Sequence, residues 1–240
     1  MARAFPKPYE DQMKIGILQA GHAPDVMISK TGDYGELFQQ FLAGEGFDFT
    51  VYSVVDMEFP ASAEEAEGWL ITGSRHGVYE AHDFIPPLET LIRDIHARRL
   101  PLAGICFGHQ IIAQALGGKV EKYDGGWSVG HTEYTFEGQT TTLNAWHQDQ
   151  VTLPPADAVA TGSSPFCKFA FLEYGDHIFS VQAHPEFNSD FVEGLIDFRG
   201  KGVVPDPLLK EARSKLPLSN DSDRIRQKIV TLFQSAMVNV

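Results

Sequence analysis

Cysteine is scarce in this sequence, with two residues, Cys106 and Cys167, among 240. Two cysteines cannot build the disulfide framework of a small secreted scaffold or a cysteine-rich metal cluster. A chain of this kind is expected in a reducing compartment, because disulfides accumulate where the environment is oxidising. We therefore expect a cytoplasmic protein with no metal centre.

Long apolar runs are also missing, and none approaches the roughly 18 residues that a membrane-spanning helix needs. Residues 1–12 contain prolines and acidic side chains and lack the apolar core of a signal peptide. No membrane association is expected. The hydrophobic fraction of 43% is nevertheless ordinary for a globular protein with a sizeable core.

Basic residues are outnumbered, since 19 Lys and Arg face 32 Asp and Glu, for a net charge of −13. Proteins that bind nucleic acid need a basic surface to neutralise phosphates. The sequence therefore argues against a nucleic-acid partner. The acidic residues are dispersed along the chain, which favours a role in solubility rather than a single binding face.

The first half of the chain alternates between short apolar runs and segments with helical spacing. Strands are predicted at residues 14–19, 47–55, 68–72 and 100–105, and helices at 33–42, 84–99 and directly after residue 106. Residues 22–32 contain Gly, Pro and Ser and are predicted to form a loop. This order is typical of an α/β protein with a mostly parallel sheet and helices on both faces.

The second half has shorter runs separated by Gly, Pro and Asp, which predict largely antiparallel strands. These runs are residues 132–136, 140–145, 158–160, 166–172 and 177–181. Helical spacing returns at 191–198 and again after residue 221. We expect one domain over residues 1–240, with its core at about 14–198 and a C-terminal helical extension at 199–240.

A glycine-flanked cysteine follows the fourth predicted strand, in the run Gly104-Ile105-Cys106-Phe107-Gly108. Gly-x-Cys-x-Gly between a buried strand and a helix has the pattern of a nucleophile elbow, with Cys in place of Ser. At a helix N-terminus the dipole and free N–H groups favour the thiolate, which is the nucleophile. The alternative is that Cys106 is a small hydrophobic residue packed between strand and helix.

A base for this nucleophile is offered by His184, which follows an apolar run within Gln182-Ala183-His184-Pro185-Glu186. In extended backbone, residues two apart point the same way, so Glu186 can orient the imidazole of His184. A cysteine nucleophile needs such a base, and the base needs a partner that holds its tautomer. An isolated His-Pro-Glu can also be a polar turn, but its co-occurrence with the elbow favours a catalytic role.

The two motifs together resemble those of the class I (triad) glutamine amidotransferases. The resemblance covers about residues 14–198 and is strongest to free-standing members similar to the amidotransferase domain of GMP synthetase. It implies a three-layer, flavodoxin-like fold, a γ-glutamyl amide substrate and no cofactor. It also implies that Cys106 is the nucleophile, His184 the general base and then acid, and Glu186 the residue that orients His184.

Further residues match the family by position. Ile71-Thr72-Gly73-Ser74 resembles the loop that supplies one oxyanion-hole N–H, and the N–H of Phe107 supplies the other. The family often has two glycines where this chain has Gly73-Ser74, so which N–H faces the oxyanion is open. The resemblance also assigns substrate contacts, in which Gln148 replaces a family glycine. These contacts are Gln110, Trp146, His147, Gln148 and Asp149.

Three functions remain open at this point. The chain is a glutaminase-type subunit that delivers ammonia to a separate synthase subunit, a stand-alone γ-glutamyl peptidase or hydrolase, or a binding module without activity. The first two proceed through a γ-glutamyl thioester and share every catalytic residue. No P-loop pattern occurs that would supply an ammonia-consuming ATP site.

Overall fold

The computed structural model of the protein describes residues 12–237. Residues 1–11 lie outside this range. The prediction that residues 1–12 do not form a signal peptide therefore falls almost entirely outside the described residues. Within the range, no helix is long and apolar enough to cross a bilayer.

A nine-stranded mixed sheet runs through the molecule in the order β2-β1-β3-β4-β11-β10-β9-β6-β7, and β5 and β8 pair separately. The strands are β1 Met13–Leu18, β2 Phe47–Tyr52, β3 Gly68–Ile71, β4 Leu102–Ile105, β5 Lys119–Lys122, β6 Ser128–Phe136, β7 Gln139–His147, β8 Asp149–Leu153, β9 Ala158–Ser163, β10 Phe171–Tyr174 and β11 Ile178–Val181.

Helices cover both faces of this sheet. They are α1 Asp25–Thr31, α2 Tyr34–Phe41, α3 Ile85–Ala97, α4 Phe107–Ala115, α5 Ser189–Leu195, α6 Asp206–Lys215 and α7 Ser222–Met237, with one turn of π-helix, Ile196–Gly200, after α5. The predicted α/β class with a mostly parallel first half is confirmed by this arrangement.

Alternate residues of the central strands build the two hydrophobic layers. On one face, Trp69 and Ile71 of β3 pack in a core with Ile92 of α3 and Ile112 of α4. On the other, Leu70 joins a core that includes side chains from α2 and α7. β3 and β4 are buried along their whole length. Such strands carry near-continuous apolar runs because helices cover both sides.

The strand predicted over 177–181 pairs differently from the expectation of a largely antiparallel second half. β11 is antiparallel to β10 but parallel to β4, with Val181 opposite Ile105. The chain therefore brings the residues after Val181 to the same sheet edge as the residues after Ile105. This pairing brings Gln182 and His184 beside Cys106. In open α/β sheets, ligands bind at this end of the sheet, outside the carboxyl ends of the strands.

The predicted loop over residues 22–32 is wrong in its central part, because Asp25–Thr31 forms helix α1. The helix follows Pro24, has Asp25 in its first turn and Lys30 in its last, and buries Met27. Because only one of the seven helical residues is buried, the sequence of this segment has no hydrophobic pattern with helical spacing. Tertiary contact stabilises this turn, since a helix this short is marginal on its own.

Candidate active site

Cys106 occupies a sharp turn between β4 and α4, with φ 53° and ψ −101°. A non-glycine residue at positive φ is strained by about 1–3 kcal/mol and is held there by its surroundings. The N–H of Cys106 donates to the Val181 carbonyl at 2.9 Å, and the Cys106 carbonyl accepts from Gln110 N–H at 3.1 Å. The predicted elbow is thus present, and the thiol lies at the N-terminus of α4.

The two elbow glycines are required by close packing. A Cβ on Gly108 would lie 2.3 Å from the Ile71 carbonyl oxygen, and one on Gly104 would lie 2.7 Å from the Gly108 carbonyl oxygen. Backbone cannot yield to such a contact as a flexible side-chain end can. Both positions therefore admit only glycine, and their role is to let β3, β4 and α4 approach each other.

The predicted base and its partner are brought together beside the cysteine. His184 Nδ1 lies 2.7 Å from Glu186 Oε1, and both side chains are almost fully buried. The backbone N–H of His184 donates to the Asn144 carbonyl at 2.8 Å, and Asn144 Nδ2 donates to the Phe187 carbonyl at 2.9 Å. These bonds anchor the segment that carries His184 and Glu186 to strand β7.

The electrostatics of His184 match its position between two acidic groups. Burial by itself lowers the pKa of His184, but the charges of Cys106 and Glu186, together with hydrogen bonds to both, outweigh it and raise the pKa to about 10. An opposite charge within hydrogen-bonding distance favours the charged form. At neutral pH the arrangement therefore favours an imidazolium on His184, beside the Cys106 sulfur.

The predicted oxyanion loop lies directly against Cys106 and His184. A Cβ built on Gly73 would be 2.9 Å from His184 Cε1 and 3.8 Å from Cys106 Cβ. Neither Gly73 nor Ser74 donates its backbone N–H to an acceptor within residues 12–237. Phe107 begins α4, and the first N–H groups of a helix have no intrahelical partner. The backbone N–H groups of Gly73, Ser74 and Phe107 are therefore available to bind an oxyanion next to Cys106.

A chain of amide side chains links the predicted substrate contact Gln110 to the cysteine. Gln110 Nε2 lies 3.1 Å from Gln182 Oε1 and donates to the Asp149 carbonyl at 2.9 Å. Gln182 Nε2 in turn lies 3.6 Å from Cys106 Sγ and points its donor at the sulfur. Gln110 is thus fixed in place, and Gln182 stabilises negative charge on the sulfur.

The other four predicted substrate contacts lie where β7 ends and β8 begins, and all four line the cleft beside Cys106. They are Trp146, His147, Gln148 and Asp149. Burial lowers the pKa of His147 to about 3, so its imidazole is neutral. Asp149 accepts from Tyr79 Oη at 2.9 Å, and burial raises its pKa. Gln148 donates to the Tyr123 carbonyl at 3.1 Å, and Trp146 is buried in the wall.

The cleft is large, at about 1070 Å³, and reaches from Cys106 and His184 to the π-helical turn after α5. Arg199 of this turn lines it and donates to Tyr34 Oη at 2.8 Å and to the His22 carbonyl at 3.0 Å. Among residues 12–237, the hydrogen bonds of the Arg199 guanidinium go to these two neutral oxygens and to no carboxylate. The cleft wall therefore presents a half-buried positive charge that no acidic side chain neutralises.

Sequence reasoning did not assign roles to Gln182, Phe187 and Arg199. Gln182 was detectable, because it lies two residues before His184 in extended backbone and so points to the same side. Phe187 stacks on the His184 ring, a contact that depends on the turn after Pro185. Arg199 lies in the π-helical turn and had no motif to identify it.

The comparison with protein families agrees with this geometry. The model of the "Glutamine amidotransferase class-I" family matches residues 33–193 of the chain. The chain therefore belongs to the class I glutamine amidotransferases, as the two sequence motifs predicted. This match identifies the chain as a member of an enzyme family, as the sequence predicted.

Two sequence relatives and one solved structure illustrate the match. "Gamma-glutamyl peptidase 2" of Arabidopsis thaliana is 28% identical over 218 residues, which are 85% of this chain and 88% of the relative. A glutamine-hydrolysing GMP synthase of Streptococcus pneumoniae is 34% identical over 172 residues, which are 64% of this chain and 32% of the synthase. A glutamine amidotransferase from Methylobacillus flagellatus superposes with a TM-score of 0.72 at 21% identity and covers 95% of each chain. This last similarity confirms the flavodoxin-like fold of the family.

Proposed function

We propose that the protein hydrolyses a γ-glutamyl amide through a Cys106-His184-Glu186 triad. The observation that carries this proposal is the buried contact of 2.7 Å between His184 and Glu186, beside a cysteine on a strained elbow. A nucleophile, a base and a group that orients the base are the parts that acyl transfer by cysteine requires.

In the first half-reaction, Cys106 Sγ attacks the γ-carbonyl carbon of the substrate, and the C=O electron pair moves to oxygen. The resulting oxyanion accepts hydrogen bonds from Phe107 N–H and from Gly73 or Ser74 N–H. Each such donor contributes roughly 3 kcal/mol in other acyl-transfer enzymes. His184 gives its proton to the departing nitrogen, the C–N bond breaks, and a γ-glutamyl thioester remains on Cys106.

In the second half-reaction, water replaces the departed amine. His184, now neutral, takes a proton from the water as the water oxygen attacks the thioester carbonyl. The C–S bond breaks, glutamate leaves, and the proton on His184 restores the resting pair with the Cys106 thiolate. Glu186 keeps Nδ1 of the imidazole occupied throughout, so Nε2 is the atom that exchanges protons.

The leaving group distinguishes two versions of this reaction. A glutaminase releases ammonia for a separate synthase subunit, and the GMP synthase relative supports this version. A peptidase or amine hydrolase releases a larger group, and two structural observations favour it. The cleft volume of about 1070 Å³ lies just above the range of about 300–1,000 Å³ that is typical of pockets for drug-sized ligands. In addition, Arg199 offers its uncompensated charge to an anionic group of the leaving portion.

A substrate panel tests both the reaction and the leaving group. The isolated chain is given glutamine, glutathione and an uncharged γ-glutamyl amine, and glutamate release is measured. Cleavage of glutathione with glutamine inert supports the peptidase, and rapid glutamine turnover with glutathione inert supports the glutaminase. If no γ-glutamyl compound is cleaved, the proposed function is wrong.

Arg199→Met separates the role of the charge. We expect KM for a γ-glutamyl peptide with a free carboxylate to rise at least about tenfold, because the variant cannot make one charge-assisted hydrogen bond to that carboxylate. KM for the uncharged γ-glutamyl amine should change little. Arg93→Met removes a positive charge on helix α3, away from the cleft, and serves as the control. Equal effects on both substrates contradict an anionic leaving group.

A thiol nucleophile acts only when it is reduced. Cys106 and Cys167 are both free, and the chemistry proposed for Cys106 supports a cytoplasmic location, where thiols stay reduced.

A further inference from the structure

Two histidines and one glutamate meet in the loop between β3 and α3. One donor atom of each of His76, Glu80 and His82 lies within 4.8 Å of the others. His82 Nε2 is 2.8 Å from Glu80 Oε2, and His76 Nδ1 is 3.9 Å from the same oxygen. No step of the proposed hydrolysis uses this cluster.

The distances suit a small transition-metal ion. Zinc binds imidazole nitrogen and carboxylate oxygen at about 2.0–2.2 Å, so donor atoms around a tetrahedral ion are about 3.3 Å apart. The two separations from Glu80 Oε2 fall on either side of that value. Both histidine side chains and the Glu80 carboxylate are partly exposed, so small side-chain rotations can bring the three donor atoms, which already lie within 4.8 Å of one another, to this spacing.

The groups around the cluster restrict how its ligands can turn. The ring of Phe84 packs against both imidazoles, with centroids 5.9 Å from His76 and 5.8 Å from His82. The N–H of Gly77 donates to Glu80 Oε2 at 3.0 Å and orients the carboxylate. In known metal sites, groups that contact the ligating side chains in this way hold them in orientation and strengthen metal binding.

We propose that His76, Glu80 and His82 form a binding site for a divalent transition-metal ion of the Zn²⁺ class at the rim of the cleft. Two imidazoles and one carboxylate are a donor set that binds zinc and comparable ions and leaves a coordination position open. His76 and Glu80 line the cleft. The open position is therefore accessible from the same space as Cys106, to water or to a donor group of a bound molecule.

The site also has a mechanical consequence for the loop. The backbone N–H of His76 donates to Ser74 Oγ at 3.1 Å, so the first metal ligand is tied to the predicted oxyanion segment. A bound ion would join residue 76 to residue 82 and hold this loop in one conformation. No metal centre was expected from the sequence because it has only two cysteines, whereas the ligands proposed here are two histidines and a glutamate.

Zinc binding to the full-length chain tests the site, and the Cys106 thiolate must be removed first because it also binds zinc. The experiment therefore uses Cys106→Ala as the parent, with competition against a chromophoric zinc chelator. We expect one zinc ion per chain in the parent. Affinity should fall at least about tenfold in Cys106→Ala/His82→Ala and in Cys106→Ala/Glu80→Gln. Cys106→Ala/His131→Ala, altered on strand β6, should bind as the parent does.

Two further measurements keep the result independent of folding. Circular dichroism of the metal-free variants must match the parent, and Glu80→Gln keeps the shape of the side chain it replaces. Co²⁺ added to the parent should give the visible bands of a four-coordinate site, and these bands should be lost in Cys106→Ala/His82→Ala. The proposal is overturned if the parent binds no stoichiometric zinc, or if both ligand variants bind zinc as tightly as the parent does. Because binding is measured without turnover, its failure says nothing against the proposed hydrolysis.

Discussion

The imidazole of His184 lies flat on the phenyl ring of Phe187, with ring centroids 3.9 Å apart and planes inclined by 5°. Phe187 is itself buried against Phe191, at 4.4 Å between centroids. Glu186 binds the edge of the imidazole, and Phe187 covers its face. The imidazole is thus restrained in two directions by residues of one short turn, 184–187.

Replacing Phe187 by Leu should therefore slow catalysis without removing any reacting group. An offset aromatic pair contributes about 0.5–1.5 kcal/mol, so we expect kcat to fall several-fold to about tenfold with a smaller change in KM. Steady-state kinetics on the substrate identified by the panel measures this effect. Phe191→Leu, one ring further from His184, is the matched variant. If both variants have unchanged kcat, the stacked ring does not position the base.

Glu186→Gln tests whether the carboxylate acts through its charge. The amide keeps the shape of the side chain but removes the negative charge that helps raise the pKa of His184. General acid–base catalysis typically contributes about 10²- to 10⁴-fold, so we expect kcat to fall within that range while substrate binding is largely retained. The pH at which kcat declines should also move downward. An unchanged rate means that another group orients His184.

The two cysteines provide an internal comparison for the nucleophile. Cys106→Ala should lower kcat on the order of 10⁴-fold or more, whereas Cys167→Ala should retain activity. Iodoacetamide should alkylate Cys106 before Cys167, because burial raises the pKa of Cys167 to about 12. Mass spectrometry of partly alkylated protein gives the order. Equal activity of the two alanine variants would falsify the mechanism.

The sequence was most informative where one local rule decides the structure. The elbow was predictable because Gly104 and Gly108 flank a cysteine at the end of an apolar run, and the resemblance then placed His184 and Glu186. The helix over residues 25–31 was not predictable, because only Met27 is buried and contact with the rest of the fold stabilises it.

Features that depend on chain crossovers were also missed. The apolar pattern of residues 177–181 fits parallel and antiparallel pairing equally well, so it could not reveal that β11 lies beside β4. The position of Arg199 likewise depends on how the turn after α5 folds back over the cleft. Both follow from packing between distant segments, which no local pattern encodes.

Gly73→Ala should impair the site through direct contact. The new Cβ would lie 2.9 Å from His184 Cε1, and the imidazole cannot move aside because Glu186 and Phe187 restrain it. Displacement of a catalytic group by about 1 Å can cost roughly 10²-fold in rate, so we expect a loss of that order in kcat. Ser74→Ala, which leaves the backbone N–H in place, is the comparison and should lose much less. Equal losses contradict steric displacement of the base.

The buried histidine His109 should make the protein sensitive to acid. Its Nδ1 lies 2.8 Å from Ser180 Oγ, and burial lowers its pKa from 6.5 to about 3. Between these two values the unfolded chain binds a proton that the folded chain excludes. The free energy of unfolding therefore falls as the pH drops below 6.5, by up to about 1.4 kcal/mol per pH unit from this group.

Urea unfolding at pH 7 and pH 4.5 checks this contribution. His109→Gln loses packing and a hydrogen bond equally at both values, so its stability should be lower than that of the wild type at pH 7. The further decrease in the free energy of unfolding between pH 7 and pH 4.5 should, however, be smaller in the variant by about 2 kcal/mol. Glutamine at residue 109 binds no proton in the unfolded chain, so this part of the pH dependence disappears. His131→Gln, on strand β6, should keep the pH dependence of the wild type. If His109→Gln and the wild type lose the same free energy between the two pH values, His109 is not the group that excludes the proton.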